Sequence, residues 1–222
     1  MPSDRSSRDR RELRWLLEGL AFCALLLAFV VLAGYVMAGD TQAFDVGVLR
    51  ALRDPANLAQ PRGPAWLEFA MLDLTALGSS TVLTLMVVAV AGFLVLQARH
   101  RLAVVVLVAA ASGELLDEIL KHVFMRPRPT IVPHLREVLE TSFPSGHAME
   151  SAIVYLTLGA MMMRMAERRA TKAYCLGLAI VVTLLVGISR IYLGVHYPTD
   201  VLAGWMVGFL WAWLCSMAVR RA

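Results

Sequence analysis

Cysteine is scarce. Only Cys23, Cys175 and Cys215 occur in 222 residues, all within apolar runs, with no paired spacing and no C-x-x-C. That excludes a disulfide framework and a thiolate metal site, and leaves three small buried hydrophobes as the reading. No carboxylate cluster and no His/Cys set at metal-ligand spacing is present either, so no metal or other cofactor is called for. No internal repeat or low-complexity segment stands out, which argues against a solenoid. What is there is apolar residues: 59% are hydrophobic and the mean hydropathy is +0.66. Ordinary globular chains run at roughly 45–50% apolar. The net charge of +4 is modest, so its distribution matters more than its size.

The apolar residues gather into runs of the roughly 20 residues that cross a bilayer. A polar segment, residues 1–14, carries Arg5, Arg8, Arg10, Arg11 and Arg14. The run after it, Trp15 to Ala38, is long and ends without a clear small-residue cleavage site, so it reads as a retained first span and not a signal peptide. Further spans are expected at Leu74–Ala98, which contains no charge, and at Leu102–Leu120, His147–Met163, Ala173–Ser189 and Val201–Val219. The expected fold is all-α: a six-transmembrane-helix bundle forming one domain over residues 15–222. Asp40 to Leu67, rich in turn residues, reads as a solvated or membrane-surface loop. It holds a short amphipathic helix marked by Phe44, Val48, Leu49 and Leu52, with Trp66 at the interface.

Charge then sets the orientation. The N-terminal arginines, the Arg99-His100-Arg101 turn, the Arg164–Lys172 turn and Arg220-Arg221 all fall on one side of a six-span chain. The positive-inside rule makes that side, with both termini, cytoplasmic. The polar connections left on the other face carry three motifs.

The first is Lys121 to Pro129, K-x6-R-P; the second is Pro144-Ser145-Gly146-His147; the third is Ser189 to Asp200, S-R-x5-H-x3-D. Lys121, Arg128 and Arg190 bring three cations to one membrane surface. Each costs up to about 2.5–3.5 kcal/mol if drawn toward hydrocarbon, so an anionic partner is expected. Arginine offers phosphate a bidentate fork and lysine a point charge. Ser145 and Gly146 open a helix, where free backbone N–H groups and the positive dipole end bind anions. Pro198 suits a helix's first turn and puts Asp200 one turn beyond His196. There the carboxylate can accept the imidazole Nδ1–H and leave Nε2 as a nucleophile. His147 is placed to protonate the leaving oxygen and later to activate water.

Other residues have plainer readings. Glu114 and Glu118 mark where a helix leaves the hydrocarbon; Asp117, one turn before Lys121, either pairs with it or marks the same boundary. Arg126 either holds a second phosphate or is a solvated loop charge. His100 is solvated, His122 and His134 lie in the loop on the motif face, Ser189 packs or caps, and Met161 to Met163 are lipid-facing or core filler, not a metal site. Thr141 and Ser142 are candidate caps for the fourth span.

These three stretches resemble the signature of the type 2 phosphatidic acid phosphatase superfamily, which also includes vanadium haloperoxidases. The match spans residues 121–200, fills every position of the pattern, and extends through the six-span layout to most of the chain. The resemblance implies His196 as nucleophile, Asp200 as its partner and His147 as general acid. Lys121, Arg128, Ser145, Gly146 and Arg190 would bind the phosphoryl group, without a metal. It implies an integral membrane lipid phosphatase acting through a phosphohistidine at the extracytoplasmic helix ends of a bacterial inner membrane. Undecaprenyl pyrophosphate, phosphatidylglycerol phosphate and phosphatidic acid are the substrates of similar members. The implied partners are such a lipid and the bilayer, and no nucleic acid. A phosphotransferase passing the group to another lipid shares the same motifs. A non-catalytic phospholipid binder or transporter is disfavoured by the full histidine–aspartate set, and a soluble haloperoxidase by the spans.

Overall fold

Proline lacks the N–H that a helix's first turn leaves unbonded anyway, and in the computed structural model Pro198 indeed opens the last helix. The structure describes residues 3–136 and 141–219. Among these, in chain order, are α1 (Ser3–Ala38), α2 (Gln42–Ala51), β1 (Arg53–Asp54), β2 (Asn57–Pro61), α3 (Ala65–Ala76), α4 (Ser80–Leu96), α5 (His100–Phe124), α6 (Gly146–Met165), α7 (Arg169–Tyr192) and α8 (Pro198–Val219). The fold is therefore helical apart from one antiparallel hairpin of β1 and β2.

Trp15–Ala38, Arg169–Tyr192 and Pro198–Met217 are long and apolar enough to cross a membrane; α3 with α4 makes a fourth if that pair, bent by 49°, is one span. At 25 and 20 residues, α5 and α6 have a spanning length. Both carry ionisable residues toward the ends that bear the motifs: Glu114, Asp117, Glu118 and Lys121 in α5, His147 and Glu150 in α6. Large apolar side chains such as Leu16, Leu20, Leu27, Leu85 and Leu96 are exposed on the outside of the bundle. So much apolar surface belongs in lipid, and the chain is an integral membrane protein.

The helix α6 is central, packing on α7 and α8 to one side and on α5 and α4 to the other. One core joins Phe29, Ala33 and Val36 of α1 to Met149 and Ile153 of α6 and to Ala203 and Val207 of α8, around Phe143. Phe143 stacks on Phe29 and meets Phe124 edge-on at 5.0 Å between ring centroids, which fixes the chain entering α6. A second core lies between α4, α5 and the C-terminal part of α6. Contact between α6 and α8 is tight at Gly208, where a Cβ would lie 2.6 Å from both the Ala152 Cβ and the Met149 carbonyl oxygen. Gly208→Ala is therefore expected to lower the unfolding temperature in detergent, by overpacking on the order of 1–3 kcal/mol. At Gly177 a Cβ meets nothing within 4 Å; Gly177→Ala is expected to leave that temperature unchanged or raise it.

Several expectations need correction. The uncharged run Leu74–Ala98 is not one helix: α3 ends at Ala76 and α4 starts at Ser80, capped by Ser79, whose Oγ accepts from the Val82 amide. The break lets Gly78 lie against α7 and α6, where a Cβ would meet Val186 at 2.4 Å and the His147 carbonyl at 3.2 Å. Residues 40–67 are not merely a surface loop either. The helix α2 is present, but it turns Asp45 and Leu49 inward, both fully buried, and leaves Phe44 60% exposed. Cys23 is exposed and Cys175 and Cys215 are half-buried, so none of the three is fully buried, although Cys215 packs against the first core. Met161 is buried while Met162 faces outward. The helical part of the basic N-terminal segment continues without a break into the first apolar run. Arg220 and Arg221 lie outside the described residues.

Candidate active site

The motif-bearing ends of α5, α6, α7 and α8 meet at one end of the bundle. At the other end Arg99, His100, Arg101 and Arg164 line a common hollow, so the basic turns and the motifs sit on opposite faces. Lys121, Arg128, Gly146, His147, Arg190 and His196 all line a single cavity of about 850 Å³. Ser145 and Asp200 lie fully buried behind it. Glu114, Asp117, Glu118 and Glu150 share the lining with His122 and Arg136, so acids as well as cations face the cavity. Asp117 Oδ2 pairs with Lys121 Nζ at 2.8 Å, one turn along α5, and fixes the lysine at the rim.

His196 sits in the connection between α7 and α8. Gly194 makes that turn possible: its φ is +75°, and a Cβ would fall 2.8 Å from Arg53 Nη2 and 2.9 Å from Val132. The His196 Nδ1 lies 2.8 Å from the Ser142 carbonyl oxygen, which can only accept, so Nδ1 carries the proton. Nε2 is then the lone-pair nitrogen, and it accepts from Arg128 Nη1 at 3.0 Å; the same Nη1 donates to the Val195 carbonyl at 2.7 Å. Burial first, then Arg190 and Arg128, push His196 well below its ordinary value of 6.5. The imidazole is neutral, with Nε2 in the cavity wall.

Asp200 does not accept that Nδ1–H. Its Oδ2 is 3.6 Å away, beyond hydrogen-bonding reach. Its oxygens are taken instead by the Tyr197 amide, which donates to Oδ2 at 2.9 Å, and by Arg126 Nη1, which donates to Oδ1. The carboxylate acts on His196 through space and by holding the 196–200 turn. Arg126 is likewise neither solvated nor in the cavity lining. It is buried, lies 4.2 Å over the Tyr197 ring, and bonds Asp45, Thr199 and Asp200. Burial works against its charge, but Asp200 and Asp45 more than offset this and raise it above its ordinary value.

The start of α6 also differs from expectation. The Ser145 amide is used by the Asp200 carbonyl at 3.0 Å, and its buried Oγ has no hydrogen-bond partner among the described residues. Gly146 and His147 remain as the first-turn amides, for which an α-helix supplies no acceptor. Gly146 is packed so closely that a Cβ would lie 2.7 Å from Asp117 Oδ2. His147 Nε2 is buried, also without a partner among the described residues, at the cavity lining. Arg190, on the last turn of α7, donates to the buried Thr75 hydroxyl of α3 at 2.9 Å. Ser142 caps nothing: its amide and hydroxyl bond the carbonyls of Arg126 and Pro127. Ser189 packs, bonding Val186 O, and His134 bonds Pro129 O. Asp45, Thr75 and Ser142 are thus site residues outside the three motifs, and Arg126 and Thr199 are site residues at positions the motifs leave unspecified.

Two imidazoles, three cations and a helix N-terminus round one hollow in a membrane bundle have the chemistry that suits a phosphate. The chain belongs to the PAP2 superfamily, whose model matches residues 101–222. It is 32% identical over 190 residues to phosphatidylglycerophosphatase B of Bacillus subtilis, covering 84% of this chain and 89% of that one. It is 27% identical over 204 residues to the undecaprenyl-diphosphatase of Sulfolobus acidocaldarius, with 88% of each chain covered. The crystal structure of a transmembrane PAP2-type phosphatidylglycerolphosphate phosphatase from Bacillus subtilis superposes with a TM-score of 0.80 at 31% identity, covering 90% of this chain and 96% of that one.

Proposed function

We propose that this PAP2-family membrane lipid phosphatase cleaves a phosphomonoester or pyrophosphate from a lipid through a phosphohistidine on His196. The observation carrying this reading is the convergence of Lys121, Arg128, Gly146, His147, Arg190 and His196 on one cavity. A phosphoryl group entering there draws the Arg128 guanidinium from Nε2 to its own oxygens, which frees the lone pair as the electrophile arrives. Nε2 attacks phosphorus, the bond to the leaving oxygen breaks, and His147 gives that oxygen its proton. Water, deprotonated by His147, then attacks phosphorus, the P–N bond breaks, and inorganic phosphate leaves. Lys121, Arg128, Arg190 and the first amides of α6 stabilise the equatorial oxygens. Asp200 and Ser145 hold this arrangement from behind.

The reading places the whole of residues 15–222 in one six-span domain, with α3–α4 as the second span and the motif end outside. Opposed placement of the basic turns supports that orientation. Among the described residues no three His, Cys, Asp or Glu side chains come together in a group that could hold a metal. The names of its relatives put phosphatidylglycerol phosphate and undecaprenyl pyrophosphate in the panel to assay, and the motif resemblance adds phosphatidic acid. Phosphate release from at least one of them is expected to persist in EDTA and to fall with vanadate. Activity that disappears with EDTA and returns with a divalent cation would contradict the metal-free route.

A further inference from the structure

Asp45 belongs to no motif, yet it is fully buried and wired to the nucleophile's surroundings. Its Oδ2 accepts from Arg126 Nη2 at 2.8 Å, from Thr199 Oγ1 at 2.7 Å and from Thr41 Oγ1 at 3.2 Å; its Oδ1 accepts the Thr199 amide at 3.1 Å. The carboxylate therefore caps the first turn of α8 from another element, where the helix has free amides and a positive dipole end. It also fixes Arg126, which reaches His196 by two routes. One runs through Nη1 to Asp200, whose carboxylate stands 3.6 Å from His196 Nδ1. The other runs through the Arg126 carbonyl, which takes the Ser142 amide at 2.8 Å, while the Ser142 carbonyl takes the His196 Nδ1–H. Both routes set where Nε2 points.

We infer that Asp45 is a positioning residue: without touching substrate, it aims His196 Nε2 through Arg126 and the α8 first turn. Placing this acid is the task of α2, the short helix between the first span and the hairpin. The strand β1 that follows α2 braces the other flank of the His196 turn, where Arg53 Nη1 donates to the Tyr192 carbonyl at 2.9 Å at the end of α7. The inference rests on His196 being the nucleophile.

The test is Asp45→Asn and Asp45→Glu in the full-length purified enzyme, with kcat and KM measured on one lipid phosphate well below the unfolding temperature. Loss of aim lowers kcat with little change in KM, because the cations that bind phosphate are not Asp45's partners. Misplacement of a reacting group by about 1 Å is worth on the order of 100-fold. Asp45→Asn is therefore expected to lose roughly 10- to 100-fold in kcat, with Asp45→Glu recovering part of it. A folded Asp45→Asn enzyme with wild-type kcat, or one altered in KM alone, overturns the inference. Should Asp45→Asn fail to fold, Thr199→Val removes the shortest of the carboxylate's contacts without touching a charge, and wild-type kcat there overturns it equally. His196→Ala, run alongside, separates the two claims: if it retains activity, the phosphohistidine reading fails whatever Asp45 does.

Discussion

Alanine at position 196 is expected to lower phosphate release by about 1,000-fold or more, the scale seen when a covalent nucleophile is removed. The loss should fall on kcat, because Lys121, Arg128 and Arg190 still hold the phosphoryl group. Position 147 provides the companion result. His147→Ala is expected to lose roughly 10²- to 10⁴-fold on a lipid phosphate, the usual range for a general acid–base group. On an aryl phosphate whose leaving group needs no proton, the first step should survive and only turnover of the phosphoenzyme should suffer. That split separates an acid from a mere binding residue. The pH dependence follows from His196 being held well below 6.5. A base lowered in this way stays neutral and active at pH 6.5 and above. Protonation of this residue therefore stops kcat/KM only at a pH below 6.5, not near it. An acid limb centred above 6.5 that vanished in a His196 variant would contradict that assignment.

The second large effect concerns Arg126. Its removal leaves Asp45 and Asp200, both fully buried, beside each other without the cation that joins them. Breaking a buried ion pair from one side is destabilising by about 3–5 kcal/mol, since a charge is left in low dielectric without compensation. Arg126→Ala is expected to unfold far below the native protein in detergent, and Arg126→Ala/Asp45→Asn to regain part of the loss by neutralising one carboxylate. A single variant melting with the native enzyme would show that Arg126 is not the linchpin of this turn. Arg128→Ala should contrast with it. Its guanidinium lines the cavity and is 3.0 Å from Nε2, so activity should fall much further than stability.

Arg126 and Arg128 also show where the sequence stops being readable. Both precede a proline in the same short stretch, and spacing alone separates them only through a family's pattern. The fold sends one to the cavity and the other under Tyr197. That His147, His196, Lys121 and Arg190 share one cavity was legible because phosphoryl transfer calls for those side-chain types together, which is what set the three motifs side by side on the sequence. Asp45 was not: its partners stand 81 and 154 positions along the chain, and an acid on a short amphipathic helix carries no local mark of burial. The acceptor for His196 was equally hidden, because it is a backbone carbonyl, which every residue has. Asp200 at i+4 was the natural expectation, and the Arg126 fork claimed it instead. Helix limits were legible from the apolar runs to within a few residues for α5 to α8, but not for α1, which begins at Ser3, nor for α3, which begins at Ala65. Nor were they legible at Gly78 and Ser79, where the chain packs closely on Val186 and His147 and a run that hydropathy makes continuous is broken.

The proposed route carries phosphorus for a moment on one imidazole. It is tested by mixing the purified enzyme with a lipid phosphate labelled in the transferable group, quenching in alkali, where phosphoramidate bonds survive, and mapping the label by mass spectrometry. Label on His196, increased in His147→Ala when an aryl phosphate is the donor and absent in His196→Ala, is the predicted result. Label on another residue, or full turnover by His196→Ala with no labelled enzyme, would contradict it.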